Sequence, residues 1–345
     1  MDLVSSMEDQ KWLLSSGRYV EDVISDICDH MPLQNFKTHL LRSLVLDLSD
    51  SAIVGWFTPA ELQEMQLAFP PLPPPDKVLI DSLTPFFEVK TTQDLNKVLQ
   101  NFRSCIFTAP TAFWAESVHR ALLSLFTFPV MPLCASQLEA WYSSSIWASV
   151  IDFSLGNLPI RIIRHEAVCR ASSLLLNKTR VQTGGPANRQ KIGRRFDAII
   201  CTHADNYLEF GAIEVAKSDN GPGSTKFIQD GKKLRIALRD MIMRLHDAVG
   251  DDHGAVKKMQ TVGVLNAGLT FQMVRCWGRN RGGVVLVKSE RREELPRVVG
   301  ELRKVWSLMR TVIQMKDIVD EVRKIVEEGE PKTKEEIAAQ LLRGD

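Results

Sequence analysis

The sequence contains no Cys-x-x-Cys pair; its six cysteines (Cys28, Cys105, Cys134, Cys169, Cys201 and Cys276) are scattered along the whole chain. That spacing argues against a structural zinc site and against a small disulfide-stapled secreted domain. Cys201 and Cys276 lie in apolar runs, where cysteine acts as a small hydrophobe. No apolar stretch approaches the length that spans a bilayer. The opening residues, Met1-Asp2-Leu3-Val4, lack the basic and apolar regions of a signal peptide. An intracellular, reducing setting is therefore expected, in the nucleus or cytoplasm, with no membrane partner. Net charge is almost absent too, 43 Lys and Arg against 42 Asp and Glu.

Several catalytic signatures are also missing. There is no Gly-x-Ser-x-Gly elbow and no internal repeat. The run Asn220-Gly221-Pro222-Gly223-Ser224-Thr225-Lys226 lacks the Gly-Lys-Ser/Thr ending of a P-loop and reads as a turn that caps the following helix. His203 and His165 have no second histidine at metal-ligand spacing and read as ordinary surface or core histidines.

What is present is the composition of a folded protein, 345 residues with 44% hydrophobic and 25% charged. The charges are unevenly placed. Residues 1–76 carry twelve acids and four bases, whereas residues 160–195 carry nine bases and the single acid Glu166. Such a segment fits either a surface facing a polyanion or a solvated stretch paired with the acidic N-terminal region.

Five prolines within residues 69–76 impose extended backbone and mark the first joint. Helical spacing is expected over residues 10–31, 58–67, 91–107, 112–126 and 136–155. In the second of these, Thr58, Pro59 and Glu61 form a start signal. The pattern then changes to strands at 158–164, 195–202, 207–215, 258–267, 269–277 and 283–288. Residues 203–206 read as a hairpin turn, residues 225–249 as a long helix, and Arg275, Arg279 and Arg281 as flanking Trp277 in a loop. From Val298 to Val326 apolar residues recur at intervals of three, four or seven, a long amphipathic helix followed by a polar tail over 327–345. The class is mixed α/β. Its expected parts are a helical N-terminal region (1–75), a helical connecting region (76–135), an α/β core (136–290), and a C-terminal helix with its tail (291–345).

Within that core, Asp197 interrupts one apolar strand, and Glu214 followed by Lys217 interrupts the next. Ionised groups in half-buried strands are costly unless paired or bound to a metal. Two carboxylates with water and phosphate oxygens suit a hard divalent cation. The bland alternative is a hairpin in which Asp197 pairs with Arg194 or Arg195 and Glu214 with Lys217.

The order of an acid, a hairpin-length gap, an acid and a lysine on the next strand, then a helix, resembles the PD-(D/E)XK nuclease superfamily over residues 136–288. It is also similar to fungal proteins carrying domains of this kind. The resemblance implies a restriction-endonuclease-like core with a central mixed sheet flanked by helices, and Mg²⁺- or Mn²⁺-dependent hydrolysis of DNA or RNA. It implies Asp197 and Glu214 as metal ligands, Glu139 as a further acid from the preceding helix, and Lys217 as the catalytic lysine. Arg161, Arg164, Arg194, Arg195 and Lys226 are the expected nucleic-acid contacts. The superfamily's acid and lysine stand two residues apart, whereas Glu214 and Lys217 stand three apart and face opposite sides of a regular strand. Either a β-bulge at Val215 or Ala216 re-aims Lys217, or Lys226, Lys232 or Lys233 reaches in from the next helix. The alternative function is a catalytically inactive nuclease-fold module that binds nucleic acid or protein, a protein partner docking through the N-terminal region or the C-terminal helix.

Overall fold

Apolar and β-branched residues crowd the segments around Asp197 and Glu214, and in the computed structural model both become interior strands of one sheet. The structure describes residues 11–32, 39–182, 190–204, 207–217, 225–250 and 252–329. The loop expected at 218–224, half of the turn at 203–206, and the tail beyond 329 lie outside them.

Seven strands make the sheet: β1 (Val45–Asp47), β2 (Ile160–Val168), β3 (Arg195–Thr202), β4 (Glu209–Ala216), β5 (Gln260–Ala267), β6 (Thr270–Gly278) and β7 (Val285–Glu294). Their spatial order is β1-β7-β6-β5-β4-β3-β2. The pairs β4–β5 and β1–β7 are parallel, and the other four are antiparallel. A parallel pair needs a crossover. For β4–β5 it contains the helix Thr225–Val249, whose first residue follows a stretch rich in Gly, Pro and Ser in the sequence.

In chain order the main helices are α1 (Val20–His30), α2 (Pro59–Ala68), α3 (Lys77–Leu83), α4 (Thr92–Asn101) and α5 (Pro110–Thr127). Helix α6 is built from the consecutive segments Glu139–Tyr142, Ser143–Asp152 and Phe153–Leu155, the middle one wound as a π-helix. Then come α7 (Arg170–Gln182), α8 (Thr225–Val249), α9 (His253–Lys258) and α10 (Lys304–Gly329). The start signal read for α2 is real: Thr58 accepts from Glu61 N–H, and the Glu61 carboxylate accepts from Thr58 N–H. Helix α8 lies close to β5 because Gly263 has no side chain. A Cβ there would come within 3 Å of Leu234 and Leu238 on α8.

One apolar core runs from Leu40 and Val45 through the helices of 79–133, the sheet, and α10 as far as Val326. A second cluster joins Trp12, Val20, Ile24, Phe57 and Met65 to Trp277 and Leu286 of the sheet and to Val284 just before β7. The N-terminal stretch therefore supplies strand β1 and also covers one end of β6 and β7. The proline run is pinned on both sides: Arg275 Nη1 donates to Pro70 O at 2.8 Å, and Gln314 Nε2 to Pro73 O at 2.7 Å. Arg275 and Trp277 lie inside β6 rather than in a loop. Arg275 is buried against Gln260 and Glu290, and the Trp277 indole donates to Lys257 O. Among the described residues, no helix is long and apolar enough to cross a membrane.

Candidate functional site

The antiparallel pairing of Ala198 with Ile213, run one residue further, sets Asp197 on β3 across from Glu214 on β4. Side chains facing each other on neighbouring strands have Cβ atoms about 4.5–5.5 Å apart, so the two carboxyls share one face. Asp197 Oδ2 also accepts the Val215 N–H at 2.7 Å. Burial raises the Asp197 carboxyl above its ordinary value; this Val215 bond offsets part of the rise, and the charge of Glu139 adds to it.

Glu214 is 8% exposed, and burial pushes its carboxyl up to about 8 despite an ion pair with Lys233 of α8. Lys233 also lies over the Phe196 ring, 4.9 Å from its centroid. Asp197 and Asp230 push Glu214 further up. Asp230 is itself raised by burial, with Lys233 and Lys226 acting against it. At the near end of α6, Glu139 Oε2 accepts from Lys226 Nζ at 2.9 Å, and that bond raises the Lys226 ammonium. The cluster thus combines the carboxyls of Glu139, Asp197, Glu214 and Asp230 with the ammoniums of Lys226 and Lys233.

Lys217 takes no part in it. β4 pairs with β5 in unbroken register from Gly211 to Ala216, so no bulge turns Lys217 round; it lies just past the strand, exposed. The lysine on the acids is Lys233, one of the helical alternatives raised by the spacing. Asp230, one turn before it on α8, was not singled out from the sequence; its i, i+3 spacing from Lys233 was the available signal.

The expected nucleic-acid contacts separate. Arg164 makes two 2.7 Å bonds to Asp152 and one to Ser143. Arg194 bonds Asp240 at 2.9 Å and Ser172. Arg161 stacks on Tyr207, 5.0 Å from the ring centroid. Arg195 and Lys226 are the solvent-facing members of the set, 58% and 60% exposed.

Among the described residues, no group of three or more His, Cys, Asp or Glu side chains is placed to hold a metal ion. The pair Asp197 and Glu214 still fits a hard cation that keeps most of its waters, because one or two carboxylates suffice for such an ion. Three of the cluster's four carboxyls are raised, burial being the largest cause in each, although two lysines stand among them. Comparison of the chain with known protein families, curated proteins and solved structures finds no match.

Proposed function

We propose that this chain is a nuclease-like enzyme of the PD-(D/E)XK type that hydrolyses nucleic-acid phosphodiesters with Mg²⁺ or Mn²⁺. The observation that carries the reading is Asp197 facing Glu214 across β3 and β4, with Lys233 on Glu214. The order of elements supports it: helix α6, strand β2, the inserted helix α7, the antiparallel strands β3 and β4, crossover helix α8, then parallel β5.

In this reading Asp197 and Glu214 hold the cation. When bound, the cation polarises the phosphate and favours a nucleophilic water. Lys233, rather than Lys217, supplies the ammonium that stabilises charge developing on the phosphate oxygens. Glu139 keeps Lys226 at the rim, within reach of a neighbouring phosphate. The exposed Arg195 lies two residues from Asp197, on the same face of β3. The six free cysteines fit an intracellular setting.

A second reading, a nuclease fold that binds without cutting, draws on one observation: Lys233 already occupies Glu214. A cleavage assay separates the two. Wild type with Mn²⁺ is expected to cut a labelled oligonucleotide. Asp197→Asn keeps an acceptor for Val215 N–H but loses the charge, so its rate should fall at least ~100-fold. Lys233→Met should fall comparably and Lys217→Met less than about threefold. Equal rates for the Lys217 and Lys233 variants would remove Lys233 from the mechanism. No cutting by wild type would favour the binding module.

A further inference from the structure

Two consecutive residues of β2, His165 (φ +65°) and Glu166 (φ +53°), are left-handed and neither is glycine. Histidine tolerates that region better than most residues do, but glutamate seldom enters it. Their place in the sheet gives the strain a meaning. The register passes from Arg164 paired with Ala198 to Ala167 paired with Phe196, so the two bulged residues together oppose Asp197. Asp197 therefore stands between Glu214 on one side and this bulge on the other.

Both side chains are exposed. The Glu166 carboxylate lies 3.7 Å from the Arg195 guanidinium, and its charge is felt at Asp197. Arg195 and Asp197, two apart on one strand, share a face. Without Glu166, Arg195 would be free to fold onto the Asp197 carboxylate.

We propose that the His165–Glu166 bulge grips the phosphate backbone beside Asp197. His165 donates a ring N–H to an anionic oxygen of the phosphodiester. Glu166 is a positioning residue that draws Arg195 away from Asp197 and aims it at the same backbone. The inference rests on the phosphodiester reading above, but its test does not need turnover.

The measurement is the fluorescence anisotropy of labelled single-stranded DNA and RNA oligonucleotides titrated with the full chain in EDTA, where metal-dependent cutting is silent. Thermal melts and Mn²⁺ cleavage accompany it. Glu166→Gly relieves the left-handed strain while removing the carboxylate. It should melt about 2 °C higher than wild type yet bind both oligonucleotides roughly tenfold more weakly. Glu166→Asp, which keeps the charge, should stay within about twofold of wild type in binding. His165→Asn, which tolerates the same backbone, should bind roughly five- to tenfold more weakly with its melting point unchanged. In the cleavage assay the weakened variants should show a raised KM with kcat within about twofold. Wild-type affinity in Glu166→Gly and His165→Asn overturns the proposal, as does a wild type that binds neither oligonucleotide. Weakened binding in a protein that never cuts upholds the grip and sinks the catalytic reading; cutting unaffected by either variant does the reverse.

Discussion

Glu214 carries most of the electrostatic tension in the site. Its carboxyl has an ordinary value of 4.5 and a folded value near 8, with burial the largest cause. As the pH rises between those values, the unfolded chain releases this proton while the folded chain retains it. The stability this group contributes is complete below about 4.5 and is lost as the pH passes through about 8. Glu214→Gln cannot ionise and escapes that loss. The melting temperature of the variant relative to wild type should therefore rise by several degrees between about pH 5 and about pH 9. A gap that stays flat over this range would mean that Glu214 ionises as freely when folded as when unfolded. Burial raises the Asp197 carboxyl as well, and the Val215 N–H acts against that rise.

At the scale of elements, the proline run is a packed strap. Arg275, 1% exposed, ties it to β6 through Pro70 O and also meets Gln260 and Glu290; Gln314 ties it to α10. Arg275→Met should lower the unfolding free energy by about 3–5 kcal/mol, since it strands a shielded Glu290. Arg281→Met breaks an exposed pair with Asp247 and should cost no more than about 1 kcal/mol. Urea unfolding of the two variants checks the contrast, and equal losses would show that the strap is not held by Arg275. The segments 195–202 and 225–249 were legible from sequence, because strand-like apolar residues and a turn before a long amphipathic run leave few alternatives. Strand β1 was not: three residues carry no measurable period, and its pairing with β7 spans most of the chain. Helix α7 was hidden because its segment is basic and weakly apolar, so it was read for its charge and not for its shape.

Across the whole molecule, charge proved harder to read than hydrophobicity. Residues 160–195 look like one basic face in the sequence, but the fold divides them. Arg164 and Arg194 turn inward to Asp152 and Asp240, Arg161 and Arg170 flank Tyr207, and Arg195 faces solvent. Three acids of the N-terminal stretch are likewise paired: Glu61 with Arg18, Asp47 with Arg235 of α8, and Glu21 with the Trp12 backbone N–H. Asp197 and Glu214 stood out because each interrupts an apolar strand. Their lysine did not, because the order of the motif pointed to Lys217, which strand spacing turns to the opposite face, while the choice among Lys226, Lys232 and Lys233 depends on where α8 crosses the sheet. The central claim is that Asp197 and Glu214 together form a site for a divalent cation. Titrating Mn²⁺ into wild type and into the Asp197→Ala, Glu214→Ala double variant by calorimetry tests it most directly. Wild type should bind ~1 equivalent and an equally well-folded double variant none; no binding to wild type, or the same binding in both proteins, would rule the site out.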